Sequence, residues 1–299
     1  MRPTKKLFLV VSLLAVSLMI IVWYGWSVRH ARTIASASCR MVFLDVGQGD
    51  AILIQTPDHQ DLLIDGGPRD TVSRQLGPYL GFGNNEIETA ILTHPDSDHL
   101  TGLLAVVNDW PVRTVLTTGV VTTTKLYQRW VTTVEKSSAK IVPVQSSQVY
   151  KLGNYLTIDI LWPDQSWNGK PYTAKASNGR GGINDTSVGT KITCAGSTAL
   201  MIGDASDAVE VALLAEGKNI HADLLKIGHH GSKFSSDHEF LQAVAPDVAV
   251  IPVGRDNRYN HPHPAVLERL TSLHIPVYRT DQQGTLEFRS VPGGWRLTP

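Results

Sequence analysis

Four short apolar runs in this chain each end on a side chain able to hold a metal ion. Asp65 follows Leu62-Leu63-Ile64, His94 follows Ile91-Leu92-Thr93, Asp204 follows Leu200-Met201-Ile202-Gly203, and His229-His230 follows Leu224-Leu225-Lys226-Ile227-Gly228. Runs of this length, bounded by turn residues, read as buried strands. Strand ends lie along the rim of a sheet, so polar groups just beyond them can converge although they are far apart in the chain. Both halves read as a run of strands followed by strand–helix alternation. That order predicts two sheets packed face to face with helices outside, an α+β arrangement. Helices are expected over 71–80, 100–108, 123–136, 205–216, 237–243 and 264–273, and the last strand over 285–289.

The richest of these strand ends is His94-Pro95-Asp96-Ser97-Asp98-His99, with four metal-competent side chains in six residues. Imidazole nitrogens and carboxylate oxygens suit Zn²⁺ or Mn²⁺. His94 and Asp96 alternate as on an extended segment, and Asp98 and His99 fall where a helix begins, so one turn can feed two neighbouring ion positions. The competing role for Asp98 is an ordinary helix N-cap. Asp204 has the same alternative, or it bridges two cations as a carboxylate on a strand exit. Asp185, in Asn184-Asp185-Thr186-Ser187, reads either as a ligand or as turn chemistry. Adjacent histidines point apart on extended backbone, so one of His229 and His230 is expected to ligate while the other orients or donates. His261 opens a helix within Asn257-Arg258-Tyr259-Asn260-His261-Pro262-His263-Pro264, and with Arg255, Arg258, Lys226 and Lys233 it offers donors and positive charge for a phosphate.

Charge balance leaves the partner open. Lys plus Arg and Asp plus Glu are 27 each in 299 residues, so a polyanion would have to be held by a local patch or by metal. Cys39 and Cys194 make neither a disulfide framework nor zinc-finger spacing; they read as buried strand residues, with a single bridge between them left open. From Leu7 to Val28 no residue is charged. At ~1.5 Å per residue, that length spans a hydrocarbon core of about 30 Å. Arg2, Lys5 and Lys6 precede the run, and Trp23, Tyr24 and Trp26 form an interfacial belt at its far end. Ala35-Ser36-Ala37 resembles a signal-peptidase site, but the apolar run is long for a signal sequence and Arg29, His30 and Arg32 intervene. The expectation is an uncleaved transmembrane anchor within residues 1–38, N-terminus inside, and one extracytoplasmic domain over residues 39–299. Secretion after cleavage is the alternative. Pro163 to Gly182, rich in Gly, Ser, Asn and Lys, reads as a mobile loop or lid.

Phe43-Leu44-Asp45-Val46-Gly47-Gln48-Gly49-Asp50, Ile64-Asp65-Gly66-Gly67, His94 to His99, Asn184 to Ser187, Gly203-Asp204 and His229-His230-Gly231-Ser232 resemble, in this order, the motifs of metallo-β-lactamase-fold hydrolases. More narrowly, they look like the soluble hydrolase domain of ComEC-type competence proteins, over about Cys39 to Pro299. Agreement of separate motifs in order is specific where a lone His-x-Asp-x-Asp-His is weak. The resemblance implies a four-layer αββα sandwich with two divalent metal ions along one sheet edge. It implies that His94 and Asp96 serve one metal and Asp98 and His99 the other, with Asp204 bridging. His229 or His230 would complete the second site and Asp185 the first. Many members of the fold have histidine where this chain has Asp96, and a histidine ligand near Asp185. Carboxylates harden the site and shift its preference from Zn²⁺ toward Mn²⁺ or Mg²⁺. ComEC-type proteins carry a multi-helix channel where one apolar span is present here, which argues against DNA transport by this chain alone.

The implied function is a membrane-anchored phosphodiesterase or nuclease acting on single-stranded DNA or nucleotides through metal-activated water. Asp98 would orient that water, and His230 or His261 would protonate the leaving oxygen. Hydrolysis of a small ester or lactone, and a non-catalytic extracytoplasmic DNA-binding module, are the competing readings. Protein partners are left unassigned.

Overall fold

Side-chain alternation along the strands sorts the apolar residues of this protein into three layers. The computed structural model describes residues 38–80, 86–172 and 182–298, with positions 16, 17, 19, 20 and 23. One sheet contains β1 (Arg40–Phe43), β2 (Ile52–Gln55), β3 (Asp61–Ile64), β4 (Ile87–Leu92), β5 (Val112–Thr117), β6 (Lys140–Pro143), β14 (Leu286–Val291) and β15 (Gly294–Leu297). Its order is β15-β14-β1-β2-β3-β4-β5-β6. The other contains β7 (Val149–Leu152), β8 (Leu156–Trp162), β9 (Gly189–Cys194), β10 (Ser197–Met201), β11 (Leu224–Lys226), β12 (Val248–Ile251) and β13 (Val277–Arg279), in the order β13-β12-β11-β10-β9-β8-β7.

Met41, Phe43, Leu62 and Ile64 pack between the sheets with Ile158, Ile192, Met201 and Val250. The alternate residues Val42, Leu44 and Leu63 pack outward with Leu76 of α1 (Val72–Leu80), Leu103 and Val106 of α2 (Ser97–Asp109) and Trp130 of α3 (Lys125–Lys136). On the second sheet Leu200, Ile202 and Leu225 pack with Leu213 of α4 (Asp207–Ala215), Phe240 and Leu241 of α5 (His238–Val244) and Leu270 of α6 (Pro264–Ser272). Each such side chain contributes ~1.5–3 kcal/mol on full burial. These layers form the expected αββα sandwich.

The sheets repeat one plan. Strands β1 to β3 and β7 to β10 pair antiparallel, whereas β3 to β6 and β10 to β13 pair parallel. Parallel strands put their carboxyl ends along one rim, where ligand-bearing loops collect. The rims are tied together by the Val188 amide, which donates to Thr93 O at 2.9 Å. A disulfide joins Cys39, just before β1, to Cys194 at the end of β9, so the bridge left open by the sequence is present.

Some elements differ from expectation. β15 was not anticipated; it forms because Trp295 reaches the inter-sheet core and its Nε1 donates to Thr198 O at 3.0 Å. The first part of the expected mobile loop is pinned, with Trp167 buried and the Val121 amide donating to Lys170 O at 2.9 Å. Residues 173–181 of that loop, and most of Leu7–Val28, lie outside the described residues. Among the described residues no helix is long and apolar enough to cross a membrane. Residues 38–299 are a compact unit in themselves.

Candidate metal centre

Beyond β3, Asp65 takes a left-handed backbone (φ 56°). Its Oδ1 accepts the Thr93 amide at 2.8 Å and its Oδ2 accepts the Thr93 hydroxyl at 2.6 Å. Helix α2 then lies backbone against backbone on the next two residues. The Gly66 amide donates to His99 O and the Gly102 amide to Gly67 O, both at 2.9 Å. A Cβ on Gly66 would lie 1.9 Å from Leu103 N, and one on Gly102 would lie 1.8 Å from Gly66 O, so only glycine permits the approach. The approach sets His99 over Asp65, with Nδ1–H donating to Oδ2 at 2.7 Å.

The capping alternatives are not taken up. Asp96 occupies the N-cap of α2 without a side-chain capping bond, and Asp98 lies inside the first turn. Ser206 caps α4, accepting the Ala208 amide, which leaves Asp204 out of the cap. The Asn184–Ser187 motif instead holds the turn around Asp204. Ser187 Oγ accepts the Asp204 amide at 3.2 Å, and Asp185 Oδ1 accepts the Ser206 amide at 3.0 Å. Asp185 is therefore engaged with this turn and is not among the ligand-type groups that cluster most closely. His94 has its Nδ1 within 3.1 Å of Thr93 Oγ1 and 3.3 Å of Ser187 Oγ, and its Nε2 lies 3.9 Å from Asp96 Oδ2.

The extended backbone expected for His229-His230 is not found. Both residues are left-handed, at φ 46° and φ 53°, a conformation that costs a non-glycine residue roughly 1–2 kcal/mol. The Ser232 amide closes the turn on His229 O at 2.9 Å, and Ser235 Oγ donates to Gly228 O at 2.7 Å. Consequently the two rings do not point apart. Their Nε2 atoms stand 3.7 Å and 3.2 Å from Asp204 Oδ2. His99 Nε2 meets the same oxygen at 3.3 Å, and Asp98 Oδ2 lies 3.5 Å from His230 Nε2. Three imidazoles and a bridging-type carboxylate oxygen thus converge.

Two participants were not assigned correctly from sequence. Lys226 was placed on the rim as a phosphate-facing cation, yet it is buried, because β11 runs through the interior between apolar neighbours. Its ammonium pairs with Asp50, donates to Gly203 O at 2.8 Å and meets Asp204 Oδ1 at 3.4 Å. Asp50 was read only as the end of a glycine turn; its Oδ1 also lies 3.4 Å from His230 Nδ1. His261, half-buried, stands edge-on to His229 with 5.5 Å between ring centroids.

The donor set fits a divalent cation. The Nε2 atoms of His94, His99 and His230 are buried without a hydrogen-bond partner. Each ring is anchored through Nδ1 instead, that of His230 on Pro252 O at 2.9 Å. Rings held at one nitrogen and free at the other are arranged as metal ligands are. Asp98, His99, Asp204 and His230 each present a ligand atom within 4.8 Å of the others, and Asp50, Asp65 and His99 form a second such group.

Electrostatics agree. Burial opposes charge on His99 and His230, but Asp204, with Asp65 and Asp50 respectively, holds both well above the usual imidazole range. Burial also opposes charge on Asp98 and Asp204, yet the neighbouring His230 and His99 hold both below the usual carboxylate range. His94 is pushed down to about 3 by burial and by His99, and Asp96 up to about 6 by burial and Asp98. The site concentrates negative potential where a cation would displace protons.

Comparison with known proteins agrees with the geometry. Residues 44–155 match the Metallo-beta-lactamase superfamily. ComE operon protein 3 of Bacillus subtilis (strain 168) is 30% identical over 264 residues, 82% of this chain and 32% of that protein. Competence protein ComA of Neisseria gonorrhoeae is 28% identical over 254 residues, 84% of this chain and 32% of that protein. The chain spans about a third of the length of these relatives. Among solved structures, Zn²⁺-bound PqqB from Methylobacterium extorquens is similar in fold, with a TM-score of 0.50 at 12% identity, covering 81% of this chain and 97% of that one. The chain carries a metallo-β-lactamase domain, and over most of its length its homologues are ComEC-type competence proteins.

Proposed function

We propose that this domain is a metal-dependent phosphodiesterase acting on single-stranded DNA or nucleotides, tethered at a membrane by its first 38 residues with the active face extracytoplasmic. The observation that carries the reading is the convergence of His99, His229 and His230 on Asp204 Oδ2, with the buried Nε2 atoms of His99 and His230 left without a hydrogen-bond partner. Asp98, His99, Asp204 and His230 would hold the cations, with His94, Asp96 and His229 beside them. Asp96, Asp98 and Asp204 are hard donors and favour Mn²⁺ over Zn²⁺. When bound, such cations supply Lewis acidity toward water and a phosphate ester.

The protein's own groups divide the remaining work. Asp98, held ionised, orients the attacking water. Lys226 and Ser187 fix Asp204 from behind, so that Oδ2 stays toward the imidazoles. His261 is held neutral, down to about 4 by burial and by His229, which suits it to donate a hydrogen bond toward a leaving oxygen. His230, buried in the cluster, fits a ligand better than a proton donor. A nucleic-acid substrate is supported by the relatives' names as competence proteins and by the exposed cations Arg255, Arg258 and Lys233. The Cys39–Cys194 bridge suits an oxidising compartment.

The test is hydrolysis of a single-stranded oligonucleotide by the purified protein with Mn²⁺. Asp98→Ala and Asp204→Ala are expected to lower kcat/KM by more than ~100-fold, beyond the usual effect of changing a supporting residue. Parental activity in both variants would overturn the assignment. Turnover of a lactone or simple ester with none of DNA would move the substrate to a small ester.

A further inference from the structure

One side chain latches the loop that leads into α6. Asn257 Nδ2 donates to Gly254 O at 2.9 Å and to His261 O at 2.7 Å, while its Oδ1 accepts the amides of Tyr259 at 3.2 Å and His261 at 2.9 Å. The latched loop sets its rings in a row. Tyr259 stacks on His261 at 5.7 Å between centroids and 27° between planes, and His261 meets His229 edge-on. The row therefore starts at Asp204 Oδ2, 3.7 Å from His229 Nε2, and ends in solvent on Tyr259, which is 51% exposed. Arg258 lies 5.0 Å from the Tyr259 ring centroid and donates to its hydroxyl at 2.8 Å. A second exposed pair, Lys233 over Phe234 at 4.8 Å, stands on the neighbouring turn. The two segments are joined by the His263 amide donating to Gly231 O at 2.8 Å.

An isolated exposed ring needs no explanation. Here an exposed ring, a guanidinium and the candidate metal centre are contiguous, and the loop that presents them is already ordered. Aromatic faces flanked by cations are what unpaired nucleobases and their phosphates bind, whereas bases inside a duplex have no free face to offer.

We propose that Tyr259, with Arg258, is a stacking subsite for the unpaired base next to the phosphate at the metal centre, and that it selects single-stranded over duplex substrate. The subsite rests on the phosphodiesterase reading for the identity of its ligand.

Two measurements on the full-length protein test it. The first is kcat/KM with Mn²⁺ for oligothymidylate against an abasic oligomer of equal length. The parent protein and Tyr259→Phe should prefer the oligomer with bases by about 5- to 150-fold, the range produced by removing a base-stacking aromatic. Tyr259→Ala should bring that ratio toward one. The second is binding of an oligothymidylate carrying 2-aminopurine, whose fluorescence falls on stacking. Quenching should persist in Tyr259→Phe and disappear in Tyr259→Ala, with Kd weakened by a similar factor. An unchanged ratio and unchanged quenching in Tyr259→Ala overturn the subsite and leave the phosphodiesterase reading standing. Quenching lost with Tyr259 while neither oligomer is cleaved keeps the subsite and removes the phosphodiesterase.

Discussion

Lys226 stands with its ammonium between Asp50 and Asp204, and the Asp65 carboxylate also acts on it. Replacing it by methionine leaves two buried carboxylates facing each other without their cation. Breaking a buried pair on one side typically costs about 3–5 kcal/mol, and Lys226→Met should lose that much in urea unfolding followed by circular dichroism. Asp50→Asn in the same background should recover part of it, because the two changes are coupled. A single variant as stable as the parent would show that the pair does not hold the centre. The contrast with Asp204 explains what was readable at this scale. Asp204 declares itself by following an apolar strand into a glycine. Lys226 stands inside the apolar run itself, where a lysine is ordinarily turned outward, and its partner comes from the other half of the chain. The paired left-handed residues His229 and His230 were equally hidden, since local preference places histidine in extended or helical backbone.

Helix α2 and the Asp65 loop make one joint, and glycine is its bearing. On helix propensity alone, Gly102→Ala should stabilise by about 1 kcal/mol. The Cβ would instead meet Gly66 O at 1.8 Å, so the helix must lift, taking His99 off Asp65. Overpacking of this kind costs typically 1–3 kcal/mol or more, and a net loss of at least ~2 kcal/mol in urea unfolding is the expected outcome. A more stable variant would refute the close approach. Most elements were legible from apolar runs and their turns, although α2 begins at Ser97, inside the ligand turn and three residues ahead of the expected Leu100. The misses include β7 and β15. Val149–Leu152 is an edge strand exposed at alternate positions, and Gly294–Leu297 is defined by Trp295 packing across the sheets. Neither signal lies in the local pattern.

At the scale of the whole molecule, the two sheets are fastened at the core, at the rim and by the disulfide. The bridge closes a separation of 155 residues. Removing it in a Cys39→Ala/Cys194→Ala variant should lower stability by roughly 2–5 kcal/mol, read as a fall in Tm matched by the parent protein under reductant. No shift in either would place the bridge outside the folding equilibrium. The fold class was legible because both halves carry the same strand order, whereas the side-by-side placement of their rims is a product of packing. That placement has a consequence for affinity. On the proposed reading His94, Asp96, Asp98 and His99 come from one sheet, and Asp204, His229 and His230 from the other, so each sheet would bring half of a chelate. The apolar interior sets the effective concentration at which one half meets the other. Chelation and the docking of the sheets would then be a single equilibrium, in which each cation bound would also clamp two half-domains together.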